Sequence, residues 1–217
     1  MAFSVVVLIS GGGTNLQALI DEEKAMNRAA VQGGEPCPYH ICAVFSDRKD
    51  AYGVERAKAA GIPVEIVSPY AVMGREKASV ADAEEKRLAV SQRVLSLAKE
   101  YGAKAIVLAG FLTVLRGSLI DEYKGKIINL HPALLPKFGG EGMWGHHVHE
   151  AVIAAGEKES GCTVHFVDAG CDTGKIILQK KVPVLPGDTP DTLYARIAPE
   201  EHKALVEAVK LVATGSI

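Results

Sequence analysis

Apolar residues fall into two kinds of pattern along this chain. The first is the short unbroken run. Val5 to Ile9 is β-branched and aliphatic throughout, as expected of a central parallel strand covered on both faces. Ile41 to Phe45, Pro63 to Val67 and Ala105 to Leu108 repeat the signal. The second is helical spacing. Leu16, Leu19 and Ile20 share a face, Tyr52 to Ala60 reads as a helix stopped by Gly61, and Val80 to Tyr101 reads as a longer one. In that longer helix Leu88, Ser91, Leu95, Ala98 and Tyr101 point inward, with Val94 beside them. Residues 22–40 read as a mixed connection, with a surface loop at Gly33 to Pro38. Strands alternating with helices through short turns predict an α/β fold with a right-handed, doubly wound, mostly parallel sheet.

The C-terminal third changes character. Cys162 to Val167 and Ile176 to Val184 are strand-like and separated by a turn-forming loop, so they are expected to pair as an antiparallel edge hairpin. Pro190 or Asp191 starts a short helix to about Ile197. A final amphipathic helix, Glu200 to Ala213, has Leu205, Val206, Val209 and Val212 inward. There is no repeat, linker or low-complexity tract, so residues 1–217 are expected to form one domain.

One stretch combines both patterning and chemistry. Ile127-Ile128-Asn129-Leu130-His131 alternates, which places Asn129 and His131 on one strand face. Pro132 has no N–H to donate and ends the ladder. An amide and an imidazole then sit together where a strand ends, which in open α/β sheets is where ligands bind. The plainer reading is a strand that runs into a Pro-rich turn, with His131 a satisfied, half-buried histidine.

Ser10-Gly11-Gly12-Gly13-Thr14-Asn15 joins the first strand to the first helix. Glycines let backbone N–H groups approach an anion, and a helix N-terminus adds partial positive charge. Thr14 and Asn15 are natural caps whose side chains can also bond a phosphate. The alternative is a tight turn with no ligand. Leu16 stands where a dinucleotide fingerprint needs glycine, and the Lys of a P-loop is missing. Asp47, at the end of the next strand, keeps a ribose-binding role open. Ala109 to Leu115 is apolar where a strand ends, so it is either core or one wall of a pocket for a flat ligand.

Composition narrows the classes. The chain has 217 residues, 48% hydrophobic and 23% charged, with net charge −2, so no basic excess argues for nucleic acid or an anionic membrane. The apolar N-terminus has no preceding Lys or Arg and reads as a strand, not a signal peptide or membrane span. Cys37, Cys42, Cys162 and Cys171 lie in no metal-type spacing and suit a cytoplasmic protein with free thiols. His146, His147 and His149 crowd a helix start after the glycine-rich 139–145 stretch. They lack neighbouring Asp or Cys ligands, so stacking against the Asn129/His131 strand is preferred to a metal site.

The polar groups that the scheme gathers at the strand ends are the glycine loop, Asn129, His131 and Asp172. No serine elbow or activated cysteine accompanies them, which speaks against covalent catalysis. An amide and a protonated imidazole are oxyanion donors, and a nearby carboxylate can keep the imidazole charged and accept a proton. That suits direct attack of an amine on an acyl carbon.

These residues resemble a known family. Val7-Leu8-Ile9-Ser10-Gly11-Gly12-Gly13-Thr14-Asn15-Leu16-Gln17, Val107 to Phe111, Asn129 to Phe138, Val164 to Val167, Asp172-Thr173-Gly174 and Glu201-His202 are similar to the phosphoribosylglycinamide formyltransferases, folate-dependent transformylases of purine synthesis with a Rossmann-like formyltransferase fold. The resemblance covers essentially the whole chain. It implies that Asn129 and His131 stabilise the oxyanion on the formyl group of 10-formyltetrahydrofolate. Asp172 would hold His131 charged and help remove the amine proton. Gly12, Gly13, Thr14 and Asn15 would bind the ribonucleotide phosphate, and Glu201 the glycinamide amine. Leu112, Thr113, Val114, Leu115, Val167 and Cys171 would enclose the pterin, with His165 in support. It implies small-molecule substrates, no metal, no nucleic acid or membrane partner, and a monomer or homodimer. Gly139 to Trp144, Cys171 and Pro199 depart from the commonest family pattern. Three rivals remain: a formyltetrahydrofolate hydrolase, a methionyl-tRNA formyltransferase, which needs a further basic domain, and a nucleotide-binding module without turnover.

Overall fold

The structure is a computed structural model that describes residues 2–217; Met1 lies outside the described residues. The chain forms two compact units, to Ile127 and from Ile128. In the first unit β1 (Phe3–Ile9) leads into α1 (Thr14–Ala30), β2 (Tyr39–Ser46), α2 (Tyr52–Ala59) and β3 (Val64–Ile66). Then come α3 (Pro69–Met73), α4 (Arg75–Val80), α5 (Ala83–Glu100), β4 (Ala105–Leu108) and α6 (Ser118–Glu122). The four strands lie in the order β3-β2-β1-β4, all parallel. β1 is the buried centre that its unbroken apolar run predicts: Val6 to Ile9 have no exposed surface.

Three expectations for this unit change. Helix α1 does not stop at residue 21 but runs to Ala30, because residues 21–30 are mostly good helix formers and no glycine intervenes before Gly33. The helix expected from Val80 starts at Ala83 instead. Asp82 accepts from the Glu85 N–H while the Glu85 side chain accepts from the Asp82 N–H, a capping box that fixes the start. Leu88 in α5 is 45% exposed, and Val90 and Leu97 are buried, so the inward face is rotated from the one expected.

The second unit holds β5, which starts at the boundary (Ile127–His131), α7 (His146–Ala154), β6 (Glu159–Phe166), β7 (Ile176–Pro183) and α8 (Pro190–Thr214). The β6–β7 hairpin is antiparallel as expected, and β5 is antiparallel to β6 as well. That register sets Asn129 opposite His165 and His131 opposite Thr163, so all four side chains share one sheet face. The two expected C-terminal helices are one. Leu193, Ile197, Glu201, Ala204, Leu205, Ala208 and Val209 keep a single helical period across Pro199. Burying that stripe outweighs the hydrogen bond that Pro199 cannot make. Among the described residues no helix is long and apolar enough to cross a membrane.

His149 of α7 is packed inward at 1% exposure, against the Tyr194 ring of α8 at 5.7 Å, and its Nδ1 has no hydrogen-bond partner among the described residues. Burial, with the nearby His146 and His131, pushes its pKa down to about 4. An unfolded histidine titrates near 6.5, so below that pH the unfolded chain binds the extra proton. His149 therefore leaves stability intact above about pH 6.5 and erodes it as pH falls towards 4, by at most about 1.4 kcal/mol per pH unit. Urea unfolding of His149→Phe is expected to lose less stability than the parent between pH 7 and pH 5. Equal losses would show that this ring is not the titrating group.

Candidate active site

In the first unit, the β1–α1 loop carries Gly12, Gly13, Thr14 and Asn15. Gly13, not Thr14 or Asn15, is the N-cap of α1; its φ is 70°, and no side chain caps the helix. Thr14 is instead the first helical residue, so the expected capping role falls away and the first-turn amides are left to backbone or ligand. Glycine is required at position 13 because a Cβ there would come within 2.6 Å of the Gly53 Cα. The loop is braced from α2: the Gly53 N–H donates to the Gly11 carbonyl (3.0 Å) and Arg56 Nε to the Gly12 carbonyl (2.9 Å). No acid lies in the first turn of α1, which suits an anion.

Leu112, Thr113, Val114 and Leu115 follow β4. Leu115 is buried, but Leu112 is 52% exposed, a large apolar side chain displayed on a tethered segment. The Leu112 N–H donates to Ser10 Oγ (2.8 Å). Asp47, weighed as a ribose-binding acid, accepts from Thr113 Oγ1 at 2.6 Å.

In the second unit, three predicted residues converge on the carboxylate of a fourth. Asp172 Oδ2 lies 3.5 Å from His131 Nδ1 and accepts from the Gly140 N–H at 3.0 Å. Its Oδ1 lies 3.5 Å from both His165 Nε2 and Asn129 Nδ2. Asn129 Nδ2 is also 3.1 Å from His165 Nε2. His131 and His165 are nearly fully buried. His131 Nε2 donates to the Phe138 carbonyl (2.7 Å), and His165 Nδ1 to the Phe166 carbonyl (2.8 Å). Val167 and Cys171 stand on the β6–β7 loop beside Asp172, both half-buried. Glu201 comes from α8 and is 6% exposed, and its charge helps burial to push the Cys162 thiol up to about 12.

Two opposing effects set the charges. Burial lowers the His131 pKa, the Asp172 carboxylate and Phe138 carbonyl raise it, and His165 lowers it again; the result is below the ordinary histidine value. Burial thus works against the charged ring that the sequence suggested, and Asp172 works for it. Burial alone would raise the Asp172 pKa, but the His165 and His131 rings and the Gly140 N–H carry it below the usual carboxylate range.

Several contributors were invisible in the sequence. Phe138 and Asp172 both have positive φ, 56° and 58°, which non-glycine residues seldom adopt. Both strained residues serve this cluster, one through its carbonyl and one through its carboxylate. Thr163 Oγ1 donates to the Ala133 carbonyl (2.6 Å) and accepts from the Leu135 N–H (3.0 Å), fixing the turn that delivers Phe138. The glycines at 139 and 140 were the available signal: a Cβ on Gly139 would come within 2.5 Å of Leu135 Cδ2. The three histidines of α7 disperse. His146 faces Asp191 (3.6 Å), His147 lies edge-on to Trp144 (5.0 Å), and His149 meets Tyr194 instead of the Asn129/His131 strand.

The first unit is thus a parallel α/β layer with an uncapped glycine loop, and the second an antiparallel one with a carboxylate ringed by imidazoles and an amide. The formyl transferase family profile matches residues 3–209, and the chain belongs to that family. It is 44% identical over 213 residues to the trifunctional purine biosynthetic protein adenosine-3 of Drosophila pseudoobscura pseudoobscura, covering 98% of this chain and 14% of that protein. The chain thus spans a small part of the multifunctional relatives it matches. It is 36% identical over 214 residues to the phosphoribosylglycinamide formyltransferase of Escherichia coli (strain K12), covering 99% of this chain and 89% of that one. The crystal structure of glycinamide ribonucleotide transformylase 1 from Symbiobacterium toebii superposes with a TM-score of 0.81 at 38% identity, over 99% of this chain and 89% of that one. The fold is accordingly the doubly wound, mostly parallel one with an antiparallel C-terminal end that the sequence led us to expect.

Because the Asp172 charge raises the His131 pKa, Asp172→Asn is expected to lower it further. Histidine ring resonances followed by NMR across pH 4–8 will show this. A His131 midpoint that stays put or moves up would mean the two groups do not interact as placed.

Proposed function

We propose that the chain transfers the formyl group of 10-formyltetrahydrofolate to the glycinamide amine of 5'-phosphoribosylglycinamide, a step of purine synthesis, and that residues 1–217 act as one formyltransferase domain. The observation that carries this is the gathering of Asn129, His131 and His165 around the Asp172 carboxylate. Family membership supports the reaction class, and the names of the compact bacterial relatives support the acceptor.

The folate co-substrate supplies an electrophilic formyl carbon to an amine. Asn129 Nδ2–H donates to the formyl oxygen as negative charge builds on it, and His131, whose Nε2–H is held by the Phe138 carbonyl, presents Nδ1 on the Asp172 side, where a protonated ring donates as well. Negative charge developing beside His131 favours its imidazolium form, and the proton that forms it is the amine proton passed on by Asp172, so the ring's stabilisation grows along the reaction coordinate. Asp172, ionised at neutral pH, accepts the amine proton, directly or through a water. Gly12, Gly13, Thr14 and Asn15 hold the acceptor's phosphate at the open helix end, and Glu201 pairs with its amine. Leu112, Thr113, Val114, Leu115, Val167 and Cys171 contact the pterin, and the displayed Leu112 side chain fits that use. His165 fixes Asn129. The partners are small molecules, and the reaction as drawn needs no metal.

The hydrolase alternative shares Asn129, His131 and Asp172 but gives the formyl group to water. Formyl donor consumption assayed with and without the ribonucleotide acceptor separates them. Acceptor-dependent turnover supports the transferase; acceptor-independent turnover would sink it. His131→Ala and Asp172→Asn are each expected to cut kcat by about 10²–10³-fold. Asn15→Ala is expected to raise the KM for the acceptor with little change in kcat. A His131→Ala protein as active as the parent would end the mechanism.

A further inference from the structure

We propose that Asp47, acting through Thr113, is a positioning residue that fixes the Leu112–Leu115 segment for the folate co-substrate; the assignment of that segment rests on the function proposed above. Strands β2, β1 and β4 lie side by side and parallel, so Asp47, Ser10 and the chain after Leu108 leave the sheet at the same edge. The segment is tied to the end of β1 twice. Ser10 N–H donates to the Gly110 carbonyl (3.1 Å), and Leu112 N–H donates to Ser10 Oγ (2.8 Å). Its far end is tied where Arg116 N–H donates to Ser91 Oγ (2.8 Å). Between these ties, the Thr113 hydroxyl reaches past β1 to the end of β2 and donates to Asp47 Oδ2 at 2.6 Å.

A hydroxyl-to-carboxylate bond of that length is of the stronger, charge-assisted kind. The other oxygen, Asp47 Oδ1, is buried and has no hydrogen-bond partner among the described residues. Thr113 is thus the main recorded support of this carboxylate, and removing either member strands the other. The two side chains form a clasp whose energy is shared, not summed. A flat ligand that lies against a backbone gains from finding the backbone already ordered. Loosening the clasp should therefore weaken folate binding and leave the chemical step alone.

The test compares Asp47→Ala, Thr113→Val, their double variant and Thr113→Ser. Each single variant is expected to raise the KM for the formyl donor roughly five- to tenfold, the worth of one good hydrogen bond, with kcat and the acceptor KM close to the parent's. The double variant is expected to match the singles, since the shared bond can be lost only once. Thr113→Ser keeps the hydroxyl and is expected to recover most of the donor affinity that Thr113→Val loses. Hydrogen exchange at the Leu112 and Thr113 amides is expected to quicken in Asp47→Ala and Thr113→Val. Additive effects, a fall in kcat without a rise in donor KM, or unchanged exchange would each overturn the clasp. A parent with no formyl transfer would instead sink the function proposed above. The clasp would then be judged by exchange and by tetrahydrofolate affinity in a fluorescence titration, where equal affinity in parent and Asp47→Ala overturns it.

Discussion

A carboxylate removed from water has to be supported by donors or it takes up a proton. Around Asp172 that support comes from the Gly140 N–H and the Asn129 amide, with two imidazole rings 3.5 Å away. Each donor imposes a condition on the chain. A side chain at position 139 would crowd Leu135 and the Asp172 Cβ, and Asp172 joins the group with a left-handed backbone. The β6–β7 loop is itself locked: Asp168 Oδ1 accepts from the Gly170 N–H and the Thr173 hydroxyl, and a Cβ on Gly174 would lie 1.7 Å from the Phe166 carbonyl oxygen. Loop order, glycine placement and strained φ values thus follow from holding one charge in place.

The same condition explains why His131 and Asp172 are shifted in ways that look opposed. His131 has more burial than compensation and tends to neutrality; Asp172 has more compensation than burial and tends to ionise. A neutral ring next to a carboxylate has unused capacity to take up positive charge. An acyl oxygen acquiring negative charge nearby would draw on that capacity. A ring already charged at rest would give the ground state the same benefit as the transition state, and so accelerate less.

Much of the fold was legible because parallel strands buried on both faces leave continuous apolar runs, as Val5 to Ile9 and Ala105 to Leu108 do. The glycine loop was legible because its close approach to α2 demands glycine at position 13. What failed to show was cooperative. The continuation of α1 through 22–30 rests only on helix propensity and a missing stop signal, and nothing local says that Pro199 sits inside α8, where packing of a long apolar stripe decides. The site was readable as a residue set, since amide, imidazole and carboxylate chemistry is carried by residue type. Its second layer was not. The Phe138 carbonyl and Gly140 amide are backbone groups, and no side-chain pattern advertises them. The antiparallel pairing that puts His165 opposite Asn129 is a matter of register, which sequence alternation leaves open.

That register carries a further consequence for proton placement. His165 Nδ1 donates to the Phe166 carbonyl, so in a neutral ring Nε2 is an acceptor. It then receives the Asn129 Nδ2–H at 3.1 Å and cannot also donate to Asp172 Oδ1 at 3.5 Å. The Asn129 N–H groups thus face the side where Asp172 lies, which is the arrangement an oxyanion donor needs. The orientation of this amide is as much a condition of the proposed chemistry as an ionised Asp172.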